Sequence, residues 1–351
     1  MIPESFIEEL KYRSDIEQII SPYVQLKRAG RHLTGLCPFH SEKTPSFVVY
    51  PENQSFYCFG CGAGGDVVTF VRKSENLEYL EALRFLAQKA GMTLPEDAEN
   101  DEAGRMRLRI LECNRESARF FHAALISPAG EPGLAYLRRR QLSDTTIRRF
   151  GLGWAPDSWG SLHEHLLKKG FTEAEMLAAA VTRGGTRGSY DSFRGRVIFP
   201  IIDLRGAVIG FGGRILGDGQ PKYLNSPDTM VFKKSRNLFA LNVAKATKEP
   251  RLLLTEGYMD AIAVHQAGFD NAVATLGTAL TQEQARLMAQ YTGEVVIAYD
   301  SDGAGQKATV RANELLAQTG IKVRVLSMTG AKDPDEFIKA NGALRFKQLV
   351  E

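Results

Sequence analysis

Cysteine is scarce in this chain, which has only four among 351 residues. A scaffold of disulfide bonds is therefore excluded, because such scaffolds need dense and paired cysteines. Long hydrophobic runs are missing as well, and the sequence contains no apolar stretch of the length that spans a membrane. The N-terminus is amphipathic and acidic, which predicts that it is not a signal peptide and favours a reducing, cytoplasmic setting.

A large net charge is also missing, since the formal total is only +3, but the charge is unevenly distributed. Residues 104–249 hold 24 basic and 13 acidic side chains, an excess of 11 positive charges. Residues 96–103 hold five acidic side chains and no basic one. A basic block of this size favours a polyanionic partner, although an arginine-rich solvated helical surface would give the same count.

Three of the four cysteines lie close to each other and to a histidine. Cys37 and His40 form a C-x-x-H pair, and Cys58 and Cys61 form a C-x-x-C pair. Two such knuckles, joined by a β-hairpin, supply the four ligands that a tetrahedral zinc ion requires. The pattern predicts a zinc ribbon with one closed, structural zinc site. Cys113 is then expected to be a buried free thiol.

Aromatic and basic side chains surround the two knuckles. Aromatic rings stack on unpaired bases and cations bind phosphates, so this pattern favours contact with single-stranded nucleic acid. The alternative is that the rings fill the small core around the metal, and for Phe47 and Phe56 we favour that alternative. The remaining candidates are the aromatic residues Tyr50, Tyr57 and Phe59 and the basic residues Lys27, Arg28, Arg31, His32 and Lys43.

Carboxylates follow three of the four buried strands that alternate with helices after residue 250. The alternation predicts a parallel sheet with crossover helices, and ligands of such sheets bind beyond the carboxyl ends of the strands. Five acidic groups gathered there would repel each other without a divalent cation. Mg²⁺ or Mn²⁺ held in this way can polarise a phosphoryl group, although an aspartate such as Asp302 could also cap a helix. The five residues are Glu256, Asp300, Asp302, Asp333 and Asp335.

Six motifs, in this order, resemble those of one protein family. CPFH…CFGCGAGGD, RGRVIFPI, PKYLNSP, TEGYMD, DSDGAG and KDPDE resemble bacterial replicative DNA primases of the DnaG type, and the resemblance runs from residue 1 to the end of the chain. It implies a zinc-binding domain that engages single-stranded template and most of an RNA polymerase domain with a Toprim catalytic centre. The implied activity is that of a nucleotidyltransferase, a DNA-directed RNA polymerase that makes short RNA primers from NTPs during chromosomal replication.

The resemblance also assigns roles to particular residues. Glu256, Asp300 and Asp302 match catalytic residues, and with Asp333 and Asp335 they match the family's site for Mg²⁺ or Mn²⁺. Whether Glu256 is a cation ligand or the proton acceptor stays open. The residues that match the family's template and nucleotide groove are Arg140, Arg194, Arg196, Arg214, Lys222, Tyr223, Asn225 and Lys234.

The expected architecture is that of an α+β multidomain protein. Its predicted parts are a zinc-ribbon DNA-binding domain over 1–95, an acidic, flexible linker over 96–108, a basic mixed α/β subdomain over 109–249, a Toprim α/β subdomain with a four-stranded parallel sheet over 250–335, and the start of a truncated helical subdomain over 336–351. The family's chains continue beyond KDPDE, so we expect a fragment that lacks the C-terminal domain for the DnaB-type replicative helicase. The other implied partners are single-stranded DNA, NTPs and single-strand-binding protein, and we expect a monomer at the replication fork.

Two other functions stay open at this point. One is a different Toprim enzyme, but a topoisomerase needs a tyrosine nucleophile in a large extra domain, for which the chain has no room. A nuclease of this type usually comes with an ATPase module, which the sequence does not provide. The other is a non-catalytic module that binds single-stranded DNA through the zinc ribbon and the basic block. It predicts metal-independent DNA binding and gives no reason for clustered carboxylates.

Overall fold

The computed structural model describes residues 2–40, 42–93, 102–186, 188–217, 219–277 and 279–351. Residues 96–101 of the predicted linker lie outside this part of the chain. Residues 102–108, its second half, belong to a helix that begins at Glu102. An acidic side chain in the first turn favours a helix start, and the following apolar residues Met106 and Ile110 pack into a core cluster. The second half of the predicted linker is therefore helical.

The described residues divide into two compact units. The first contains residues up to 105 together with the short segments 286–293 and 318–321, and the second contains 106–285, 294–317 and 322–351. Helices and strands occur in both, which confirms the predicted α+β class. No helix in the described ranges is long and apolar enough to cross a membrane.

The first unit is built around a five-stranded antiparallel sheet in the order β1-β2-β3-β4-β5. Its strands are β1 Lys27–Ala29, β2 His32–Gly35, β3 Phe47–Tyr50, β4 Ser55–Cys58 and β5 Gly64–Asp66. Its helices are α1 Glu4–Arg13, α2 Ile16–Ile20, α3 Val67–Ser74 and α4 Tyr79–Lys89, and residues Pro51–Asn53 form a 3₁₀ turn.

The start of the first unit differs from the single opening helix that the sequence predicts to end near Ser21. Two helices occupy this stretch, because Asp15 caps the second one by accepting a hydrogen bond from the Gln18 amide at 3.0 Å. The next helical prediction, over residues 74–91, is confirmed by α4. Helix α3 was not expected. Its signal was present in Asp66, which accepts from the Thr69 amide at 2.8 Å and so caps the helix.

Alternation along the strands separates a buried and an open face of this sheet. Phe47, with no exposed surface, and Phe56, 2% exposed, lie on the buried face, as predicted. They pack against Phe70 of α3, with ring centroids 6.2 and 5.5 Å away. This aromatic cluster provides the first unit with a core that does not depend on the knuckle residues alone.

After residue 101 the chain forms ten helices among the described residues, and the first half of the second unit also contains a four-stranded and a two-stranded antiparallel sheet. The helices after residue 101 are α5 Glu102–Leu125, α6 Glu131–Arg139, α7 Asp144–Arg149, α8 Ser161–Lys168, α9 Glu173–Ala178, α10 Leu241–Ala244, α11 Tyr258–Gln266, α12 Gln282–Ala289, α13 Gly303–Ala317 and α14 Pro334–Val350, with 3₁₀ turns at Pro128–Gly130 and Lys234–Arg236. The antiparallel strands are β6 Gly153–Ala155, β9 Arg196–Ile202, β10 Val208–Ile215 and β11 Tyr223–Asn225, in the order β11-β10-β9-β6, and β7 Thr182–Gly185 pairs with β8 Gly188–Asp191.

The second half of this unit contains a four-stranded parallel sheet, as the sequence predicts. The strands are β12 Leu252–Thr255, β13 Ala272–Ala274, β14 Glu294–Ile297 and β15 Lys322–Val325, in the order β13-β12-β14-β15. β12 and β13 are buried along their whole length, as expected for strands covered on both faces. All four carboxyl ends therefore meet at one edge of the sheet, where the predicted acidic residues follow.

Candidate active site and metal centre

The two knuckles of the first unit bring their four side chains together. Cys37 follows β2 and Cys58 ends β4, and the ligand atoms of Cys37, His40, Cys58 and Cys61 all lie within 4.8 Å of one another. The Sγ atoms of Cys37 and Cys61 are 3.8 Å apart. Two sulfur ligands at opposite ends of a tetrahedral edge around zinc are about 3.8 Å apart, given the usual zinc–sulfur distance. The donor set and its spacing thus fit one zinc ion.

Cys113 takes no part in this group. It lies in α5, fully buried, and burial raises the pKa of its thiol to about 12. Its position in the core of the second unit agrees with the predicted free thiol.

The open face of the first unit's sheet carries aromatic and basic side chains in rows. Lys27, Thr34, Val48 and Tyr57 are paired across neighbouring strands and so share that face. The Tyr57 and Phe59 rings contact edge to face at 5.1 Å and are 42% and 67% exposed. Exposed rings on an open sheet face offer a surface on which unpaired bases can stack.

A cavity of about 800 Å³ lies beyond the carboxyl ends of the parallel strands in the second unit. Four of the five predicted acidic residues line it, namely Glu256, Asp300, Asp333 and Asp335. The main chain holds two of them together, since the Asp300 amide donates to Glu256 Oε1 at 3.2 Å. The predicted convergence of acids from three strand ends is therefore present in the structure.

Asp302, the fifth predicted acid, does not line this cavity. Its Oδ1 accepts hydrogen bonds from the amides of Ala304 at 3.0 Å and Gly305 at 2.9 Å, so it caps α13. The bond from Gly305 is the main reason that the pKa of Asp302 lies below its usual value. Of the two roles weighed for this residue, its geometry in this structure is that of the helix cap.

Asp335 is held by two cations on different elements. Its Oδ2 lies 2.8 Å from both Arg140 and Lys339, and the carboxylate is only 5% exposed. Asp333 has a different local role, since its Oδ1 accepts from the Glu336 amide at 2.8 Å at the start of α14. The two acids of the KDPDE motif are thus fixed by different partners.

Repulsion and burial act on Glu256 and Asp300. Burial, and next the charge of Asp300, raise the pKa of Glu256. Burial and the charge of Asp333 raise the pKa of Asp300. A divalent cation placed among these groups would relieve both effects, so the electrostatics of the cavity fit a cation site.

Asp260 is an acidic residue of the cavity that the sequence analysis missed. It lies in the first turn of α11, and burial, then the nearby charges of Asp333 and Asp300, raise its pKa to about 8. Its signal was its place four residues after Glu256 in the TEGYMD motif. Lys332 was also missed, although it directly precedes Asp333 and lies 3.9 Å from Asp300.

Basic and aromatic side chains line the same cavity. Arg214 lies between the rings of Tyr136 and Tyr223, 4.9 and 5.4 Å from their centroids, and donates to the Tyr223 hydroxyl at 3.0 Å. Lys222 and Arg140 line the same cavity. A cavity lined by both carboxylates and fixed cations fits a ligand whose phosphates are bridged by a divalent cation.

The other residues predicted for the groove do not line this cavity. Asn225 accepts from the Tyr258 hydroxyl at 2.7 Å and donates to the Leu276 carbonyl at 2.7 Å, so both ends of its amide are used. Arg196 is 6% exposed and donates to the carbonyls of Gly213 and Pro221. These contacts make both residues part of the scaffold.

The remaining two predicted groove residues, Arg194 and Lys234, lie elsewhere on the second unit. The Arg194 guanidinium stacks on the exposed ring of Trp159 at 4.0 Å, and its NH1 donates to the Asp191 carbonyl at 2.7 Å. Lys234 begins a 3₁₀ turn, and its amide donates to Asp228 at 3.0 Å.

Comparison with known families assigns three parts of the chain. Residues 2–102 match the CHC2 zinc finger. Residues 120–245 match the N-terminal domain of the DNA primase catalytic core, and residues 253–338 match the Toprim-like family. The Cys₃His group thus lies in the zinc-finger match, and the acids of the cavity lie in the Toprim-like match, which implies a divalent metal site.

Similar proteins cover the whole chain. A DNA primase of Clostridium acetobutylicum is 45% identical over 354 residues, which cover 100% of this chain and 59% of that protein. A DNA primase of Geobacillus stearothermophilus is 43% identical over 358 residues, with 98% and 59% covered. The chain therefore spans about 59% of the length of these curated relatives.

Solved structures agree with these relatives. The zinc-binding and RNA polymerase domains of the Aquifex aeolicus primase match with a TM-score of 0.66 and 39% identity, covering 98% of this chain and 84% of that one. A DnaG primase catalytic domain bound to single-stranded DNA matches with a TM-score of 0.65 and 36% identity, covering 70% and 79%.

Proposed function

The chain belongs to the DnaG-type family of DNA primases, and from this premise we propose that it joins ribonucleotides on a single-stranded DNA template. The reaction would be nucleotidyl transfer: the 3′-hydroxyl of one nucleotide attacks the α-phosphate of an incoming NTP, and pyrophosphate leaves. The proposed centre is the acidic cavity of the second unit.

One observation carries this proposal. The cavity gathers carboxylates from three strand ends together with the cations Arg140, Arg214 and Lys222. Nucleotidyl transfer needs both, because negative charge on the triphosphate must be balanced while the reacting groups are held in line. A module that only binds DNA has no use for the carboxylates, which would repel the phosphate backbone.

Two kinds of metal ion fit the described donor sets. The Cys₃His group fits a single structural zinc ion. The carboxylates of Glu256 and Asp300 fit Mg²⁺ or Mn²⁺, which when bound would supply charge neutralisation and orientation of phosphate oxygens. We propose Asp333 and Asp335 as further members of this site, with Asp335 also fixed by Arg140 and Lys339.

The chain's own side chains have separate tasks in this proposal. Arg214, held rigid between two tyrosine rings, binds the triphosphate, and Lys222 beside it adds a mobile charge. Glu256 has a raised pKa and so suits a proton acceptor for the attacking 3′-hydroxyl as well as a cation ligand. Asp302 supports the site by fixing the start of α13 next to Asp300.

We propose two surfaces for the DNA template, one in each unit. The basic block over 104–249 supplies phosphate contacts. The open sheet face of the first unit supplies stacking rings in Tyr57 and Phe59. The solved relative bound to single-stranded DNA supports this choice of ligand. The family also favours a bacterial replication fork as the place of action, with a replicative helicase and single-strand-binding protein as further proposed partners.

The test measures incorporation of labelled ribonucleotides on single-stranded DNA with Mg²⁺ or Mn²⁺. The double variant D300A/D302A loses one cavity carboxylate and the helix cap beside it, so we expect the amount of product to fall by about a hundredfold or more. Binding of single-stranded DNA should stay near that of the parent. The variant E314A, an exposed acid on α13, is the matched control and should keep activity.

Two other outcomes would contradict the proposal. Full activity in D300A/D302A would show that the acidic cavity is not the catalytic centre. DNA binding without any product from the parent chain, with either metal, would favour the non-catalytic binding module.

A further inference from the structure

Glu42 is a carboxylate in an unusual place. Its side chain is only 11% exposed, and it lies next to His40, whose side chain is 16% exposed. A charged group removed from water needs strong partners to remain there. The partners of Glu42 are all in or beside the metal knuckles, and this is where its role lies.

The first partner is the His40 ring. Glu42 Oε2 lies 3.2 Å from His40 Nε2, while the other ring nitrogen, Nδ1, lies 3.7 Å from Cys58 Sγ. Nδ1 therefore faces the sulfur atoms and Nε2 faces the carboxylate. An imidazole that binds a metal through one nitrogen carries a proton on the other, and that proton needs an acceptor.

The ring is also fixed from the other knuckle. A Cβ added at Gly60 would lie 2.5 Å from His40 Nε2, so only glycine leaves room for the ring in this orientation. His40 is thus held between Gly60 and the Glu42 carboxylate, with a single ring nitrogen available to the metal.

The other carboxylate oxygen holds the backbone of the first knuckle. Glu42 Oε1 accepts hydrogen bonds from the amides of Cys37 at 2.7 Å and Ser46 at 3.0 Å. The Ser46 hydroxyl donates to Glu42 Oε2, accepts from the Gly60 amide at 3.2 Å, and lies 3.2 Å from Cys58 Sγ. One carboxylate therefore reaches Cys37, His40 and, through Ser46, Cys58.

We propose that Glu42 is the positioning residue of the zinc site. Its Oε2 accepts a hydrogen bond from the Nε2–H group of His40, and this presents Nδ1 to the metal. The proposal concerns the zinc site alone and holds whether or not the acidic cavity carries out nucleotidyl transfer. The competing role is purely structural, in which Glu42 only closes the knuckle backbone through Oε1.

The variant E42Q separates these two roles. Its amide oxygen can still accept from the Cys37 and Ser46 amides, but its NH₂ group cannot accept a proton from His40 Nε2. The test uses the full chain and measures zinc affinity by competition with a chromophoric chelator. It also records the absorption bands of the cobalt-substituted protein, which report on the ligand geometry. E52Q, an exposed glutamate in the 3₁₀ turn Pro51–Asn53, is the matched control.

We expect E42Q to weaken zinc binding about 10- to 100-fold, which is the usual effect of removing the partner of a metal-binding histidine. Its cobalt bands should shift, while E52Q behaves as the parent. Unchanged affinity and an unchanged cobalt spectrum in E42Q would overturn the proposal.

A second background keeps the result decisive even if E42Q folds poorly. The variant H40C offers a fourth thiolate, which has no Nε2 proton to be accepted. If Glu42 acts through His40, adding E42Q to H40C should cost no zinc affinity. An equal loss in both backgrounds would assign Glu42 to the knuckle backbone and reject a role through His40.

Discussion

His265 lies deep in the second unit as a neutral imidazole. It is 3% exposed, and its Nε2 lies 2.8 Å from the Ala272 carbonyl, to which it donates. Its Nδ1 is buried and has no hydrogen-bond partner among the described residues. Burial lowers the pKa of His265 from its ordinary value of 6.5 to about 4, because a second N–H at Nδ1 would have no acceptor there.

The lowered pKa predicts how stability depends on pH. Above pH 6.5 the imidazole is neutral in both the folded and unfolded states, and the full stability is present. As the pH falls from 6.5 towards 4, the unfolded chain binds a proton that the folded chain does not, so stability is lost. The shift in pKa corresponds to a loss on the order of 3 kcal/mol.

Urea unfolding at a series of pH values, followed by tryptophan fluorescence, measures this loss. Both tryptophans, Trp154 and Trp159, lie in the second unit with His265. The variant H265Q has no group that titrates in this range, so its free energy of unfolding should change less between pH 7 and pH 4.5. The same pH slope in H265Q and the parent would mean that other groups cause the loss.

Single residues also mark how far the sequence could predict the site. The three strand ends were predictable, because Glu256 and Asp300 follow buried apolar runs and Asp333 follows the last strand through a short loop. Asp260 was missed, because its signal lay in the TEGYMD motif and a buried aspartate in a helix adds no periodic one. Arg196 could not be distinguished from a groove residue, because its carbonyl partners on Gly213 and Pro221 come from another strand and a loop.

At the scale of elements, the knuckles connect short strands. β1, β2 and β5 have only three or four residues each, and short strands of a small sheet are marginal without further support. The Cys37 and Cys58 knuckles lie at the ends of β2 and β4, so a metal bound there would tie the sheet together.

We therefore expect chelation of zinc to unfold the sheet of the first unit and to leave the second unit folded. Far-ultraviolet circular dichroism should lose strand signal, while tryptophan fluorescence, which reports only on the second unit, should keep its unfolding midpoint. Addition of zinc should restore the dichroism. A parallel change in both signals would contradict the expectation that chelation unfolds only the sheet of the first unit.

Elements were predicted well where their pattern was continuous. The strands and helices from β12 to β15 follow the sequence closely, because β12, β13 and most of β14 are runs of buried residues and each helix ends near a glycine or polar turn. The opening helix was predicted as one element but is two, since the Asp15 cap interrupts a periodicity that is continuous in the sequence. Helix α3 was missed because its four apolar residues follow directly after a glycine-rich knuckle.

For the whole molecule, the main feature is the uneven charge. The excess of 11 positive charges over 104–249 lies between a first part near neutrality and a slightly acidic last part. Such a surface releases counterions when it binds a nucleic-acid backbone, so affinity falls steeply as salt rises. The cavity cations Arg140, Arg214 and Lys222 belong to this block.

We predict that R214Q/K222Q reduces the salt dependence of single-stranded DNA binding. Both cations belong to the basic block proposed to contact template phosphates, so removing them should lower the slope of log affinity against log salt by about 1.4, from the usual single-strand value per contact. The control K322Q/R345Q removes the same charge from residues outside the basic block and should leave the slope unchanged. Fluorescence anisotropy of a labelled oligonucleotide between low and moderate salt measures both, and equal slopes in the two variants would reject the contact.

The ion pair between Arg140 and Asp335 has a consequence for the order in which parts of the second unit fold while the protein is being translated. The two residues are far apart in the sequence, and a contact of that kind closes only after the long loop between them has been made. On a ribosome, Arg140 would emerge long before its partner. Until then a partly buried guanidinium would lack its carboxylate, so the cavity is among the last parts of the second unit to be completed during translation.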